Sequence, residues 1–244
     1  LQLFPDRLGA ALDRRRWQPG QLVQVKSRRG AVVLPVRATD AAPPAQAFIA
    51  MHAPAVNRLT TSARCPQSGQ PELKHAAVRL EAVTLPWQLD AVAWLPADQV
   101  LTAQRRWQPL AEVCRYGHLQ LVGREPDGPL GLALRLAHDE PVPLDGLEAA
   151  FGMDEPAVLR YDDPRRGLRR LVRVDAQGRL QAFLLEGDTS AAAWMRDWWL
   201  QARPLPVPGR LLLAGGAVPP VARTGAGPVV CSCHGVGEAA IRAR

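Results

Sequence analysis

Two groups of side chains in this chain have chemistry to offer. The first lies between Met51 and Lys74, where His52, Asn57, Thr60, Ser68, Gln70, Glu72 and Lys74 gather amide, hydroxyl, carboxylate and ammonium groups on one loop system. An ammonium with amide donors suits a ligand that bears both a phosphate and a base; the plain alternative is a solvated loop. The second is Cys231-Ser232-Cys233-His234, which precedes a helix-like run from Gly237 to Ala243. Two thiolates at a helix N-terminus sit in a positive field that lowers their pKa, and thiolates hold iron–sulfur clusters or zinc. Either metal site usually takes four protein ligands, so an isolated Cys-x-Cys equally describes two buried thiols, and His234 alone does not complete a set. Cys65 and Cys114 have no evident partner and read as core thiols. The sequence holds no convincing Ser-His-Asp set, carboxylate dyad, Walker loop or Gly-x-Gly-x-x-Gly turn.

The elements that must position these groups read as mostly β. Leu22, Val23 and Val25, the turn Ser27-Arg28-Arg29-Gly30 and the apolar run from Ala31 to Val36 predict a hairpin, with Gly30 expected at positive φ. Ala47 to Met51 reads as a buried strand that delivers His52 to its end. The loop from Ala53 to Pro71 is longer than a compact domain keeps without a use for it, and Ala76 to Leu85 closes the sheet. A short helix over Leu8 to Arg16 precedes all of this, stopped by Trp17-Gln18-Pro19-Gly20.

Pro86-Trp87 marks a domain boundary. Beyond it, Leu119 to Val122 and Leu130 to Leu136 read as strands on either side of a Glu125–Pro129 turn. Leu171 to Val174 and Leu180 to Leu185 read as a hairpin around Asp175-Ala176-Gln177-Gly178. Ser190 is placed to cap a helix over Ala191 to Leu200, whose Trp194, Trp198 and Trp199 fall near one face, and Arg210 to Ala214 reads as a last strand. The expected class is mainly β with α+β. Residues 1–85 form a small β-barrel with a polar rim, 86–215 a smaller α+β domain, 216–228 a Pro/Gly-rich linker and 229–244 a short cysteine-bearing tail.

Composition bounds the partners. The formal charge is +7 and the isoelectric point near 10.0, but only Lys26 and Lys74 are lysines. The arginines are scattered as pairs and one triplet, Arg14-Arg15-Arg16, rather than gathered on one element, which argues against a nucleic-acid groove. No run approaches the roughly 18 apolar residues of a membrane span, and the sequence opens without an initiator Met or a signal-peptide pattern. A soluble piece of a longer chain is expected. The cysteine pattern does not look like a disulfide framework, and a cytoplasmic compartment fits it.

Five motifs bring in a family. Val25-Lys26-Ser27-Arg28-Arg29-Gly30, Val36-Arg37-Ala38-Thr39-Asp40, Met51-His52, Val56-Asn57-Arg58-Leu59-Thr60 and Ser68-Gly69-Gln70-Pro71-Glu72-Leu73-Lys74 resemble, in order and spacing, the C-terminal molybdopterin-dinucleotide-binding domain of molybdenum oxidoreductases. More narrowly, they look like bacterial assimilatory nitrate reductase. The tail from Val230 to Ile241 is similar to the start of a [2Fe-2S] domain related to bacterioferritin-associated ferredoxin, which such reductases carry at their C-terminus. Tyr161 to Asp188 resembles a hairpin of that family and of related nitrite reductases.

The resemblance implies a double-psi β-barrel up to about residue 85. It implies that Met51, His52, Asn57, Thr60, Gln70, Glu72 and Lys74 meet the guanine dinucleotide part of a molybdenum bis(molybdopterin guanine dinucleotide), and that Cys231 and Cys233 are two ligands of a [2Fe-2S] cluster whose other ligands lie beyond Arg244. Catalytic residues and a [4Fe-4S] cluster would lie upstream of Leu1. The implied reaction is nitrate to nitrite, fed by an electron-donor protein or reductase subunit, with no nucleic acid and no membrane. Ala53 stands where the family has an aromatic residue, and Pro43-Pro44-Ala45 where it tends to have a Pro-Gly turn. A formate dehydrogenase-like molybdoenzyme is the alternative within the class. Outside it, the alternative is a non-catalytic basic β-barrel module for nucleic acid or an acidic partner.

Overall fold

The computed structural model describes residues 2–3, 17, 20–38, 46–49, 54–70, 76–123, 128–220, 229–231 and 236–237. The chain divides into two compact units, Leu1–Thr84 and Leu85–Arg244. β-structure dominates both, and the second unit is the longer rather than the smaller.

In the first unit, β1 (Gln2–Leu3) pairs in parallel with β4 (Arg37–Ala38). β2 (Leu22–Lys26) lies between β3 (Ala31–Pro35) and β5 (Arg79–Ala82), antiparallel to both. Alternation along β2 sends Val23 and Val25 inward, both with no exposed surface, against Val32, Val36, Leu59 and Leu80. The β2–β3 hairpin expected from the sequence is present and turns at Ser27, whose Oγ accepts the Arg29 and Gly30 N–H groups. Gly30 is not at positive φ. A Cβ there would stand 2.9 Å from the Arg58 carbonyl oxygen, so close backbone approach explains the glycine.

Two other expectations for this unit need correction. Ala47 to Met51 does not form a buried strand in its described part: Phe48 makes one isolated bridge and is 57% exposed, and only Ala47 and Ile49 lean on the core. The long loop is partly ordered by a 3-10 turn over Pro54–Arg58. The expected helix over Leu8 to Arg16 lies outside the described residues.

The second unit is built on a six-stranded antiparallel sheet in the order β7-β8-β6-β11-β10-β9. Its strands are β6 (Trp87–Leu95), β7 (Tyr116–Val122), β8 (Leu130–His138), β9 (Leu159–Asp163), β10 (Leu168–Val174) and β11 (Leu180–Glu186). Both faces are covered. Helix α1 (Ala97–Val113) lays Val100, Ala103, Trp107 and Ala111 over Leu89, Ala91, Leu132 and Leu134, joined by Leu147 of the short helix α2 (Leu147–Ala150) and by Phe151. Helix α3 (Ala192–Gln201) and Leu212 cover Val92, Ala133, Val172, Phe183 and Leu185 on the other face.

A sheet buried on both faces needs near-continuous apolar strands, and β6 supplies one, interrupted by Asp90. That carboxylate is 2% exposed and accepts from Arg196 Nη2 of α3 at 2.6 Å, with Arg135 Nε of β8 at 3.4 Å, tying helix to sheet. The β10–β11 hairpin turns at Asp175, whose Oδ1 accepts the Gln177 and Arg179 N–H groups, with Gly178 at φ 75°.

Ser190 does not cap α3. The N-cap is Ala191, and the Ser190 backbone N–H donates to Asp188 Oδ1 instead. Trp194, Trp198 and Trp199 are all buried, as the spacing implied. Residues Gly209–Ala214 form a 3-10 helix, not a strand, held between Pro208 and a C-terminal Gly215 at φ 70°. β12 (Val229–Cys231) and β13 (Val236–Gly237) form a short antiparallel pair, so Gly237 is extended rather than helical; residues 238–244 lie outside the described part.

Candidate functional site

The hairpin tip and the 3-10 turn meet at Gly30, which sets Arg28 and Arg29, both exposed, next to the segment carrying Asn57 and Arg58. Asn57 is exposed. Thr60 is half-buried, and its hydroxyl donates to the Asn57 carbonyl at 3.2 Å, closing the turn.

A second loop follows directly. Cys65 N–H donates to the Gln70 carbonyl, Gly69 N–H to the Cys65 carbonyl, both at 2.9 Å, and Ser68 Oγ accepts the Gln70 N–H at 3.4 Å. Gly69 at φ 66° lets the chain reverse there. Residues 61–70 are all exposed, so the Ser68–Gln70 backbone is held in a fixed shape while the Gln70 side chain faces solvent.

Cys65 is an exposed thiol in this loop rather than a core thiol; Cys114 is buried as expected. Hydrogen bonds from the Ser68 side chain, then from the Ser68 and Gln67 backbone, lower the Cys65 pKa. Burial raises that of Cys114.

Charge completes the picture. Among the described side chains of residues 20–84, six are cationic (Lys26, Arg28, Arg29, Arg58, Arg64 and Arg79) and one, Glu81, is a carboxylate. Glu81 is already paired with Arg79 at 2.9 Å. Arg58 follows the exposed Asn57 in the chain, and Arg64 Nη1 donates to the Gly69 carbonyl at 3.5 Å. That donor set fits an anionic ligand with phosphates and a hydrogen-bonding base. Arg28, Arg29 and Arg58 lie within the motifs of the resemblance but are not among the site residues expected from it; the signal for them is two adjacent arginines on a hairpin tip.

Of the other residues singled out from sequence, Met51, His52, Glu72, Lys74 and Cys233 lie outside the described residues. Cys231 is on β12, opposite Val236. No group of three or more His, Cys, Asp or Glu placed to hold a metal occurs among the described residues, and no helix among them is long and apolar enough to cross a membrane.

Comparison with known proteins finds similarity in this region. Residues 11–77 match the family model described as "Molydopterin dinucleotide binding domain", so that stretch of the first unit carries the sequence pattern of a molybdopterin-dinucleotide-binding domain. A particular relative is the assimilatory nitrate reductase of Haloferax mediterranei (strain ATCC 33500), 38% identical over 69 residues, which are 28% of this chain and 10% of that protein. The matched stretch therefore spans about a tenth of that relative's length. No solved structure matches the chain.

Proposed function

We propose that this chain is the C-terminal part of a molybdenum-dependent assimilatory nitrate reductase, and that its first unit closes over the guanine dinucleotide end of a molybdopterin cofactor. The observation that carries the reading is the coincidence of two things on residues 11–77: the family match and, among the described side chains, an excess of cations over carboxylates, three of them (Arg28, Arg29 and Arg58) on the hairpin tip and the 3-10 turn. In this reading the first unit completes a double-psi β-barrel. Arg28, Arg29 and Arg58 take the phosphates, while Asn57, Thr60 and Gln70 meet the sugar and base together with Met51, His52, Glu72 and Lys74. Cys231 and Cys233 are half of the ligand set of a [2Fe-2S] cluster completed by later residues. The compartment is cytoplasmic, and electrons come from a donor protein or reductase subunit.

The bound cofactor would supply the oxygen-atom chemistry that turns nitrate into nitrite. The residues of this chain bind and orient its dinucleotide end. Their cationic groups neutralise the diphosphate, and the ordered 61–70 loop reduces the conformational entropy lost on binding.

The test is to express the chain extended upstream, then measure molybdenum and pterin content together with nitrate reduction from a viologen donor. A full-length protein that folds but retains no molybdenum overturns the reading. Replacing Arg28 and Arg29 together with alanine is expected to lower the pterin content severalfold without loss of folding.

The same cation excess favours one reading from another class, a basic module for nucleic acid or an acidic partner. Salt-dependent retention on DNA, unchanged when cofactor is withheld, would favour that module.

A further inference from the structure

Among the described residues, the sheet of the second unit ends in an open edge: β9 pairs with β10 on one side only, and Leu159, Arg160, Tyr161 and Asp162 are all exposed. On one face Leu159 and Tyr161 are 37% and 39% exposed, and the 3-10 helix Gly209–Ala214, whose Gly209 lies against Leu159, adds Leu211 at 44%. Such an edge presents a row of backbone N–H and C=O groups ready to pair with another strand, which is why edges are commonly guarded by charge.

The charges of β9 guard against most partners and fit one. The strand reads Leu159-Arg160-Tyr161-Asp162-Asp163. When two copies of one edge strand pair antiparallel about a two-fold axis, directly opposed residues must have backbones facing the same way, and backbone direction alternates along a strand. The axis therefore passes through a residue, not between two. An axis through Arg160 sets two guanidiniums against each other, and one through Asp162 sets two carboxylates against each other. An axis through Tyr161 sets Arg160 of each copy against Asp162 of the other, stacks Tyr161 beside its equivalent, and places Leu159 opposite Asp163. Only this register pairs opposite charges, and it does so twice. Asp162 is free enough to take part: its side chain is 54% exposed and stands 3.7 Å from Arg169.

We propose that this chain self-associates into a two-fold dimer through β9, joining two six-stranded sheets edge to edge about Tyr161, with Leu159, Tyr161 and Leu211 forming the apolar part of the contact. The inference rests on the second unit alone and is independent of what the first unit binds.

The experiment measures the mass of residues 1–244 in solution over a range of concentrations by sedimentation equilibrium. A reversible dimer is expected. Asp162→Arg and Arg160→Asp are each expected to weaken homodimers at least about tenfold, because each sets like charges across the axis. An equimolar mixture of the two variants is expected to regain dimer, since both cross-pairs are then of opposite sign.

Arg160 also donates to Glu148 Oε2 at 2.6 Å and to the Met153 carbonyl, so its variant could fail to fold. A second measurement does not depend on it. With Cys65, Cys231 and Cys233 changed to serine, Tyr161→Cys is expected to give a disulfide-linked dimer under mild oxidation, because directly opposed Cβ atoms in a strand pair lie within reach of a disulfide. Gln120→Cys, on the other sheet edge in β7, is expected to stay uncrosslinked. A monomer at every concentration overturns the proposal. So does a dimer indifferent to the charge reversals, or equal crosslinking at Gln120→Cys.

Discussion

Cys65 makes the sharpest residue-level prediction. Its thiolate is stabilised by hydrogen bonds from the Ser68 side chain and from two backbone N–H groups, and it is open to solvent, whereas burial holds the Cys114 thiol protonated. Alkylation followed by mass spectrometry of intact protein is expected to label Cys65 well before Cys114, with a pH midpoint below that of an ordinary cysteine. Ser68→Ala removes the leading donor, and the Cys65 midpoint should move up; an unchanged midpoint would show that Ser68 does not act on the thiol. Little of this was legible from sequence. Cys65 lies in a Pro/Ser/Gly-rich stretch that carries no periodicity, and its exposure depends on how Gly69 reverses the chain.

At the level of elements, legibility followed burial. The β2–β3 and β10–β11 hairpins could be read because each alternates apolar and polar residues around a turn with side-chain-to-backbone hydrogen bonds. β6 could not, because a strand buried on both faces has no period of two and Asp90 interrupts its apolar run. Helix α1 was missed although Val100, Ala103, Trp107 and Ala111 recur at helical spacing, since Pro109 and a mostly polar surface masked the pattern. The Leu211-Leu212-Leu213 triplet read as a strand, yet its Pro208 and Gly215 neighbours close it into a 3-10 turn. Asp90→Ala leaves the Arg196 and Arg135 guanidiniums part-buried beside no carboxylate, and denaturant unfolding is expected to show a loss of about 3 kcal/mol. A Cβ at Gly131 would stand 2.6 Å from the Trp199 ring, so Gly131→Ala is expected to cost about 2 kcal/mol, read from the same unfolding curve. Asp188 has a lowered pKa, held down by the Ser190 hydroxyl first, against the opposing effect of burial, and then by the Ser190 N–H and Arg170. A carboxylate depressed on folding stabilises above its unfolded pKa and loses that contribution as pH falls through its folded value. Asp188→Asn should therefore lower the melting temperature near neutrality and narrow the gap to wild type in acid, as calorimetry would record.

At the scale of the whole molecule, the sequence carried the idea of a β-rich, dinucleotide-binding first part better than it carried the second. The motifs of the first unit are local strings, whereas the six-stranded sheet depends on pairing β6 with β8 and β11 across long stretches of chain. Self-association through β9 is the one prediction that belongs to this scale, and it would double the six-stranded sheet of the second unit. The tryptophans are divided just as unevenly. Six of the seven, all but Trp17, belong to the second unit, where Trp94 and Trp199 stack with centroids 4.5 Å apart and Trp194 meets Trp198 edge-on at 4.9 Å. Indole transitions that close couple as excitons, so the far-ultraviolet circular dichroism of this protein should carry a signed couplet that disappears with the second unit's packing. Intrinsic emission will likewise report that unit almost alone, and events in the first unit, ligand binding included, will need an extrinsic label to be seen.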